Sequence, residues 1–414
     1  MHRSLLTALA CLTVVAGCSS SGSDYAVLTV DQALTLADQP VHLKVTGLHP
    51  NKPVTVGADA VGRDAKKWHG EATFTADDHG SVELDTAKPT SGSYQSVDGM
   101  GLFWSMDPAD GDPDAQTYNP PLDNGRLVEK LEISASRDGK RLASTTVTRL
   151  WRSSGVTPTS LTMAKDKLTG VYVATKADGA KHPAVLWLGG SEGGTPSALP
   201  AYLLASHGYP VLALAYFHAP GLPDDLRNVP LEYFASAARW LQRQPGVDPT
   251  HVILMGGSYG TEAALLAADH FPTLIHGLVL LAPSATATAS FPEPDGSAWT
   301  YAGKPVAFGP IPVDGVNGPV LAVAGSADLV WQSRSSAQRI MQALDDAHDK
   351  FPHEALLVDD AGHRVVGAPY LPQGTTEVHP ATGTTLQLGG SRLGDESALR
   401  QGWTKTLALL GSLS

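Results

Sequence analysis

The sequence predicts a protein of two parts, an all-β sandwich followed by an α/β domain whose sheet is mostly parallel. Residues 25–152 contain short, partly alternating apolar runs between turn-forming residues, which is typical of a sandwich. Residues 160–414 alternate strand-length apolar runs with helical segments, which favours a parallel sheet covered by helices on both faces. A Gly-x-Ser-x-Gly motif around Ser258 lies between one such strand and helix. Residues 153–159 are predicted to link the two parts.

Composition indicates a globular protein and gives no sign of nucleic-acid binding. The chain has 414 residues, of which 42% are hydrophobic and 17% charged, which suits two or three domains with buried cores. The formal net charge is -12 and no basic run occurs, so nucleic acid is not an expected partner.

The first 17 residues predict a lipoprotein signal peptide. A short basic start at His2 and Arg3 precedes an apolar stretch, residues 5–15, that is too short to span a bilayer as a lasting helix. The next residues, Val-Ala-Gly-Cys ending at Cys18, resemble a bacterial lipobox. We expect a lipid on Cys18, a flexible tether over residues 18–24, and export to the outer face of the bacterial cell membrane. An ordinary signal peptide and a plain membrane helix are the alternatives.

The cysteine count limits the chemistry of the mature chain. The only cysteines are Cys11, which would leave with the signal peptide, and Cys18, which would carry the lipid. A cysteine nucleophile and a cysteine metal site are therefore not expected. The chain also lacks a His-Glu-x-x-His motif, so we predict no metal and no cofactor.

Individual segments support the two-part division. A hairpin is predicted around Asp138-Gly139, and a long loop over residues 107–124. The other predicted strands of the first part are residues 26–30, 41–45, 53–58, 71–75, 81–84 and 142–150. In the second part, strands are predicted at residues 170–174, 184–188, 211–215, 252–255, 278–282, 320–324 and 355–358, and helices at 201–207, 231–243, 261–271, 335–344 and 399–410.

Ser258 is the candidate nucleophile. The apolar run 252–255 leads into it and the Ala- and Leu-rich segment 261–271 follows, so the serine must occupy a tight strand-to-helix turn. Gly256 and Gly260 give that turn room, and the hydroxyl would stand above a helix N-terminus. The alternative is an idle serine in a Gly-rich connection.

A serine hydroxyl needs a base, and the base needs a third group that fixes its tautomer. Asp328 follows the strand 320–324 and His363 follows the strand 355–358, and the order Ser, Asp, His is that of α/β-hydrolases. Asp328 could instead be a helix cap or turn residue, and His363 a surface histidine. Asp359 and Asp360 compete for the acid role, but they precede His363 on the same loop and are better explained as turn-formers.

The oxyanion of an acyl-transfer reaction needs two backbone N–H donors. We predict one at Tyr259, directly after the nucleophile, and the other near Gly190 or Ser191 in the Gly-rich turn after the strand 184–188. A phosphate-binding role for this turn is less favoured because no lysine follows it as in a P-loop. Glu192 lies in the same turn; a solvated turn carboxylate is the favoured interpretation, and a carboxylate that approaches the site is the alternative.

Several segments in their order resemble one known family. They are residues 188–194, 213–217, 230–234 and 297–305, the Ser258 turn, Gly362-His363 and Pro369-Tyr370. The chain resembles the acyl-CoA thioesterases and bile acid-CoA:amino acid N-acyltransferases, in which an immunoglobulin-like domain precedes an α/β-hydrolase domain. The resemblance implies the triad Ser258, Asp328 and His363 and an acyl-CoA substrate. It also implies that conjugating members carry cysteine where this chain has Ser258.

The sequence thus predicts a lipid-anchored serine hydrolase that cleaves an acyl ester or thioester through an acyl-enzyme on Ser258. Acyl transfer to an amino acid is one alternative, and a non-catalytic surface-binding lipoprotein is another. Residues 284–319, with Trp299 and Tyr301, would either shape the acyl pocket or pack on the surface.

Overall fold

The computed structural model describes residues 25–123, 126–176 and 179–414. The predicted signal peptide, Cys18 and the tether lie outside the described residues, as does Asn124 at the end of the predicted loop. None of the helices in the described ranges combines the length and the apolar character needed to cross a membrane.

The first part of the chain forms two β-sheets, and most strand pairs in them are antiparallel. A three-stranded sheet has the order β1-β3-β6, and a larger sheet has the order β2-β11-β10-β4-β5-β7. In the larger sheet β8 also pairs with β5, and β9 pairs with β10. Alternate residues of β5 are buried, because neighbouring side chains of a strand point to opposite faces. The elements are β1 (Val27–Val30), β2 (Leu34–Leu36), β3 (Leu43–Thr46), β4 (Pro53–Val61), β5 (Lys67–Thr75), β6 (Val82–Glu83), β7 (Ser91–Gly92), α1 (Gly101–Trp104), β8 (Asp107–Pro108), β9 (Leu122–Asp123), β10 (Arg126–Arg137) and β11 (Lys140–Leu150).

The predicted hairpin is confirmed. Strands β10 and β11 pair antiparallel, with Arg137 opposite Lys140 across a two-residue loop. Asp138 and Gly139 both have positive φ, 49° and 74°, which is the conformation that a type I′ hairpin turn requires.

The second part contains the mostly parallel sheet that the sequence predicts. Its order is β12-β13-β15-β14-β17-β18-β23-β24; β13 pairs antiparallel with both β12 and β15, and the strands from β15 to β24 run parallel. The elements are β12 (Val156–Leu161), α2 (Met163–Asp166), β13 (Thr169–Thr175), β14 (His182–Leu188), α3 (Ala198–Ser206), β15 (Val211–Ala215), β16 (Val229–Pro230), α4 (Leu231–Gln242), β17 (Val247–Gly257), α5 (Tyr259–His270), β18 (Leu278–Leu281), β19 (Thr286–Ala287), β20 (Trp299–Tyr301), β21 (Lys304–Pro305), β22 (Gly309–Pro310), β23 (Val320–Gly325), α6 (Ser333–Asp346), β24 (His353–Val358), β25 (Thr376–Val378), β26 (Thr385–Gln387) and α7 (Arg392–Ser412).

Both faces of the central part of this sheet are buried. Val185 and Trp187 of β14 belong to a core that includes α3, α7 and the first part of the chain, whereas Leu186 and Leu188 face a second core formed with α4, α5 and α6. A strand covered on both faces needs apolar residues at every position, which explains the continuous apolar runs of the sequence.

The predicted linker, residues 153–159, overlaps a strand. Strand β12 pairs antiparallel with β13, so only residues 151–155 separate β11 from the second sheet. Four of its six residues are exposed, and the strand lies at the edge of the sheet. An exposed edge strand lacks the apolar run by which buried strands are recognised, so the sequence pattern missed it.

Candidate active site

The Ser258 turn has the backbone of a strained nucleophile turn. β17 ends at Gly257, α5 begins at Tyr259, and Ser258 between them has φ 53° and ψ −125°. A Cβ at Gly256 would lie 2.3 Å from the carbonyl oxygen of Gly260, and one at Gly260 would lie 2.4 Å from that of Gly189. Neither position accepts a side chain, which accounts for both glycines of the motif.

The structure brings Asp328 and His363 together. Asp328 follows β23, His363 follows β24, and His363 Nδ1 lies 2.8 Å from Asp328 Oδ2. The other oxygen, Asp328 Oδ1, accepts hydrogen bonds from the backbone N–H groups of Val330 (2.9 Å) and Trp331 (3.2 Å). The side chains of Asp328 and His363 are only 2% and 11% exposed. A carboxylate fixed at Nδ1 leaves the lone pair on Nε2, as a general base requires.

Asp359 and Asp360, the competing acids, have other partners. Asp359 accepts a hydrogen bond from Arg334 Nη1 at 2.9 Å. Asp360 accepts one from Ser391 Oγ at 2.5 Å, and its φ of 60° places it in a turn. Both act as the sequence predicts, as residues of the loop rather than partners of the imidazole.

Packing brings the His363 loop to the Ser258 turn. The Trp331 ring contacts the His363 ring edge-on (centroids 5.6 Å apart) and the Tyr259 ring at 5.5 Å. A Cβ at Gly257 would lie 2.7 Å from Val366 Cγ1 of the His363 loop. In the described part of the chain Ser258 Oγ forms no hydrogen bond with His363, and such contacts commonly shorten only when substrate binds.

The predicted oxyanion donors flank Ser258. A Cβ at Gly190 would lie 2.8 Å from Ser258 Cβ and 3.3 Å from Ser258 Oγ, so the Gly190 backbone packs directly against the serine. Tyr216 donates its hydroxyl to the carbonyls of Gly189 (2.6 Å) and Gly190 (3.2 Å), which fixes the turn. Tyr259 is the first residue of α5, where N–H groups have no intrahelical acceptor.

Glu192 does not behave as the free, solvated carboxylate that the sequence suggests. The N–H of Gly190 donates to Glu192 Oε2 at 2.8 Å. The residue is exposed to solvent, but its carboxylate lies against the backbone of Gly189 and Gly190, and desolvation there raises the pKa of Glu192. Glu192 therefore lies beside Ser258.

His379 is a site residue that sequence reasoning missed. It follows β25, is 2% exposed, and its Nε2 lies 3.0 Å from Ser191 Oγ. Its Nδ1 accepts the N–H of Ala381 at 3.2 Å, so the Nε2–H tautomer donates to Ser191. Burial lowers the pKa of His379 and keeps the ring neutral. The residue lies in the turn between the short strands β25 and β26, and no sequence pattern places it beside the Gly-rich turn.

Residues 284–319 reach the site through a different residue than predicted. Trp299 is fully buried and donates its Nε1–H to Glu262 Oε2 at 3.0 Å, and Tyr301 stacks on His270 with centroids 4.1 Å apart. It is Phe291 that lies near the site, 6.1 Å from the Tyr259 ring and 4.9 Å from the His379 ring. Rings from three separate loops thus border the site, those of Phe291, Trp331 and His379.

Comparison with known proteins identifies the family. Residues 38–163 match the family described as Acyl-CoA thioester hydrolase/BAAT N-terminal region, and residues 229–292 and 301–412 match BAAT / Acyl-CoA thioester hydrolase C terminal. The chain belongs to this acyl-CoA thioesterase and bile acid-CoA:amino acid N-acyltransferase family.

The relatives include enzymes of both kinds. Acyl-coenzyme A thioesterase 6 of Mus musculus is 28% identical over 89% of this chain and 92% of its own length. Peroxisomal succinyl-coenzyme A thioesterase of Mus musculus is 25% identical over 90% and 93%. Acyl-coenzyme A amino acid N-acyltransferase 1 of Mus musculus is 27% identical over 89% and 93%.

Similar solved structures are α/β-hydrolases that match part of the chain. A dienelactone hydrolase-like phosphotriesterase from metagenomic libraries has 16% identity and a TM-score of 0.42, covering 62% of this chain and 98% of its own. Esterase B from Lactobacillus rhamnosis has 18% identity and a TM-score of 0.35, covering 50% and 76%.

Proposed function

We propose that the protein is a serine hydrolase that cleaves an acyl thioester or ester through an acyl-enzyme on Ser258. The observation that carries the proposal is the 2.8 Å contact of His363 Nδ1 with the buried Asp328, on a loop packed against the Ser258 turn. The thioesterases among the relatives make an acyl thioester the first substrate class to test.

In the proposed reaction His363 Nε2 takes the hydroxyl proton as Ser258 Oγ bonds to the acyl carbon. The carbonyl electrons move to the oxygen, which Tyr259 N–H and a donor at Gly190 or Ser191 stabilise. As the carbonyl re-forms, the bond to the leaving sulfur or oxygen breaks, and His363 gives its proton to the leaving group. Water then attacks the acyl-enzyme by the same steps, releases the acid and restores Ser258.

Acyl transfer to an amine differs only in the second nucleophile. An amino acid would replace water at the acyl-enzyme, and N-acyltransferases among the relatives support testing this. The resemblance implies cysteine at position 258 in conjugating members, so the serine of this chain favours hydrolysis. Adding glycine or taurine to an acyl-CoA assay distinguishes the two, because only transfer yields an amide.

The test is turnover of a panel of acyl-CoA and p-nitrophenyl esters by the purified mature protein and by Ser258→Ala. We expect Ser258→Ala to lower kcat by roughly 10³-fold to 10⁶-fold because the nucleophile is gone. Ser236→Ala, which changes an exposed serine of α4, is the matched control and should keep full activity. Turnover that survives Ser258→Ala would contradict the mechanism. A folded protein without any turnover would favour the non-catalytic surface-binding alternative.

We further propose that the protein is exported and anchored to the membrane through a lipid on Cys18. The lipobox-like sequence that ends at Cys18 supports this. Cys18→Ala should move the protein from the membrane fraction to the soluble fraction, and the mass of the mature N-terminus should lose the lipid. An unlipidated wild-type N-terminus would show that the proposal is wrong.

A further inference from the structure

A carboxylate lies where the proposed reaction needs a free donor. Gly190 N–H, one of the two positions predicted for the second oxyanion donor beside Tyr259, instead donates to Glu192 Oε2 at 2.8 Å. A backbone N–H has one hydrogen, so it cannot serve the carboxylate and an acyl oxygen fully at the same time.

The same carboxylate lies close to the nucleophile. A Cβ built at Gly190 would lie 3.0 Å from Glu192 Oε2 and 3.3 Å from Ser258 Oγ. The distance between Glu192 Oε2 and Ser258 Oγ therefore cannot exceed the sum of these two distances. A Cβ at Gly189 would lie 2.2 Å from Glu192 Oε1, which shows that the carboxylate lies directly over both glycines. An oxyanion formed beside it would meet a like charge.

Solvent exposure gives the Glu192 side chain room to leave this position. A long, solvent-accessible side chain can reach another rotamer without unpacking a core.

We propose that Glu192 is a built-in plug of the oxyanion site, which occupies the Gly190 donor in the resting protein and must move out before an acyl carbonyl binds. This inference rests on the proposed hydrolase function. It makes Glu192 a specificity-determining and rate-determining residue, because only a substrate that displaces the carboxylate reaches Ser258 productively.

The opposing explanation is that Glu192 supports the turn and holds Gly190 in place. The two explanations predict opposite orders of activity. A plug predicts Glu192→Ala fastest, Glu192→Gln intermediate and wild type slowest, because the neutral amide still accepts the N–H but more weakly than a carboxylate. A turn support predicts the reverse.

The experiment measures the second-order rate of fluorophosphonate labelling and kcat/KM for a p-nitrophenyl ester with the full mature chain. Glu192→Ala should raise both by about tenfold or more, the equivalent of one charge-assisted hydrogen bond. Glu377→Gln is the matched control, because it removes a nearby carboxylate that pairs with Arg364 and not with Gly190. Thermal unfolding of each variant shows whether the fold is intact.

A pH series adds a readout that turn support would not move. The ratio of the Glu192→Ala rate to the wild-type rate reports the effect of the Glu192 carboxyl group. The ratio should rise with pH as Glu192 ionises, then level off. The neighbouring titratable groups are Glu377, Tyr216, His363, His379 and His218, the last of which packs on Gly193. Burial raises the pKa of Tyr216 well above its usual value of 10.

Each result decides the question. Equal or slower labelling of Glu192→Gln than of wild type, a ratio independent of pH, or an equal gain in Glu377→Gln would overturn the plug while leaving the hydrolase proposal intact. If Glu192→Ala does not fold, Glu192→Gln alone decides. Folded wild type and variants that all resist labelling would instead show that the hydrolase proposal itself is wrong.

Discussion

At the scale of single residues, the proposed role of His363 as a base depends on Asp328 rather than on Asp359 or Asp360. The Asp328 side chain is buried, contacts His363 Nδ1 and accepts hydrogen bonds from two backbone N–H groups. Asp359 is instead paired with Arg334 on the surface. A buried carboxylate at Nδ1 both fixes the tautomer and stabilises the imidazolium that forms during the reaction.

We therefore expect Asp328→Asn to lower kcat by roughly 10³-fold to 10⁴-fold, because the amide cannot stabilise the imidazolium or enforce the tautomer. Asp359→Asn is the control and should stay within about twofold, since its side chain is 90% exposed. Kinetics on one p-nitrophenyl ester, with unfolding curves for both variants, provide the measurement. A larger loss in Asp359→Asn would reassign the acid.

Residue types and their order in the chain predicted Ser258, Asp328 and His363. They did not predict His379, or the contact of Glu192 with Gly190. These contacts join residues that only the folded turn or a distant loop brings together, and a lone histidine or glutamate carries no local pattern.

At the scale of elements, prediction succeeded where local pattern and burial agree. β15, nearly all of β14 and the carboxyl-terminal half of β17 are buried on both faces, so their apolar runs identified them. The Ser258 turn was predictable because its glycines are required by close backbone contacts within the turn and with β14. The edge strand β12 and the hairpin β25–β26 were missed, because exposed short strands are stabilised by partners rather than by their own sequence.

The segment between β18 and β23 shows the limit of pattern reading. Its Trp299 was a reasonable candidate for a pocket, yet the indole reaches inward to Glu262, a fully buried carboxylate on the α5 helix. Burial raises the pKa of Glu262 to about 7. A helix carboxylate with a distant Trp partner is a tertiary feature that helix and strand periodicity cannot reveal.

At the scale of the whole molecule, buried polar groups join the two parts of the chain. Arg149 of β11 is fully buried and donates to the carbonyl of Tyr370 at 3.3 Å. The N–H of Tyr370 in turn donates to both oxygens of Glu396 at 3.1 and 3.0 Å. Asp38 accepts from Trp403 Nε1 at 2.8 Å. The loop that carries His363 is therefore held from both sides.

This burial predicts how stability depends on pH. Burial raises the pKa of Glu396 to about 8, so the folded state keeps a proton that the unfolded chain loses near pH 4.5. A carboxyl with a raised folded pKa makes the folded state less stable as pH rises between these values. We expect Glu396→Gln to flatten the fall in melting temperature between about pH 5 and pH 8, because the amide does not ionise.

Calorimetry of wild type and Glu396→Gln across that range is the measurement. Glu354→Gln, which alters an exposed carboxylate paired with Lys405, is the control and should keep the wild-type slope. Equal slopes for wild type and Glu396→Gln would contradict the expectation and assign the pH dependence to other buried groups.

The most direct test of the central claim is to locate the fluorophosphonate adduct by peptide mass spectrometry on the folded mature protein. We expect one adduct per chain, on the peptide that contains Ser258, and no adduct in Ser258→Ala. An adduct on any other residue, or a folded wild-type protein that stays unlabelled, would contradict the claim.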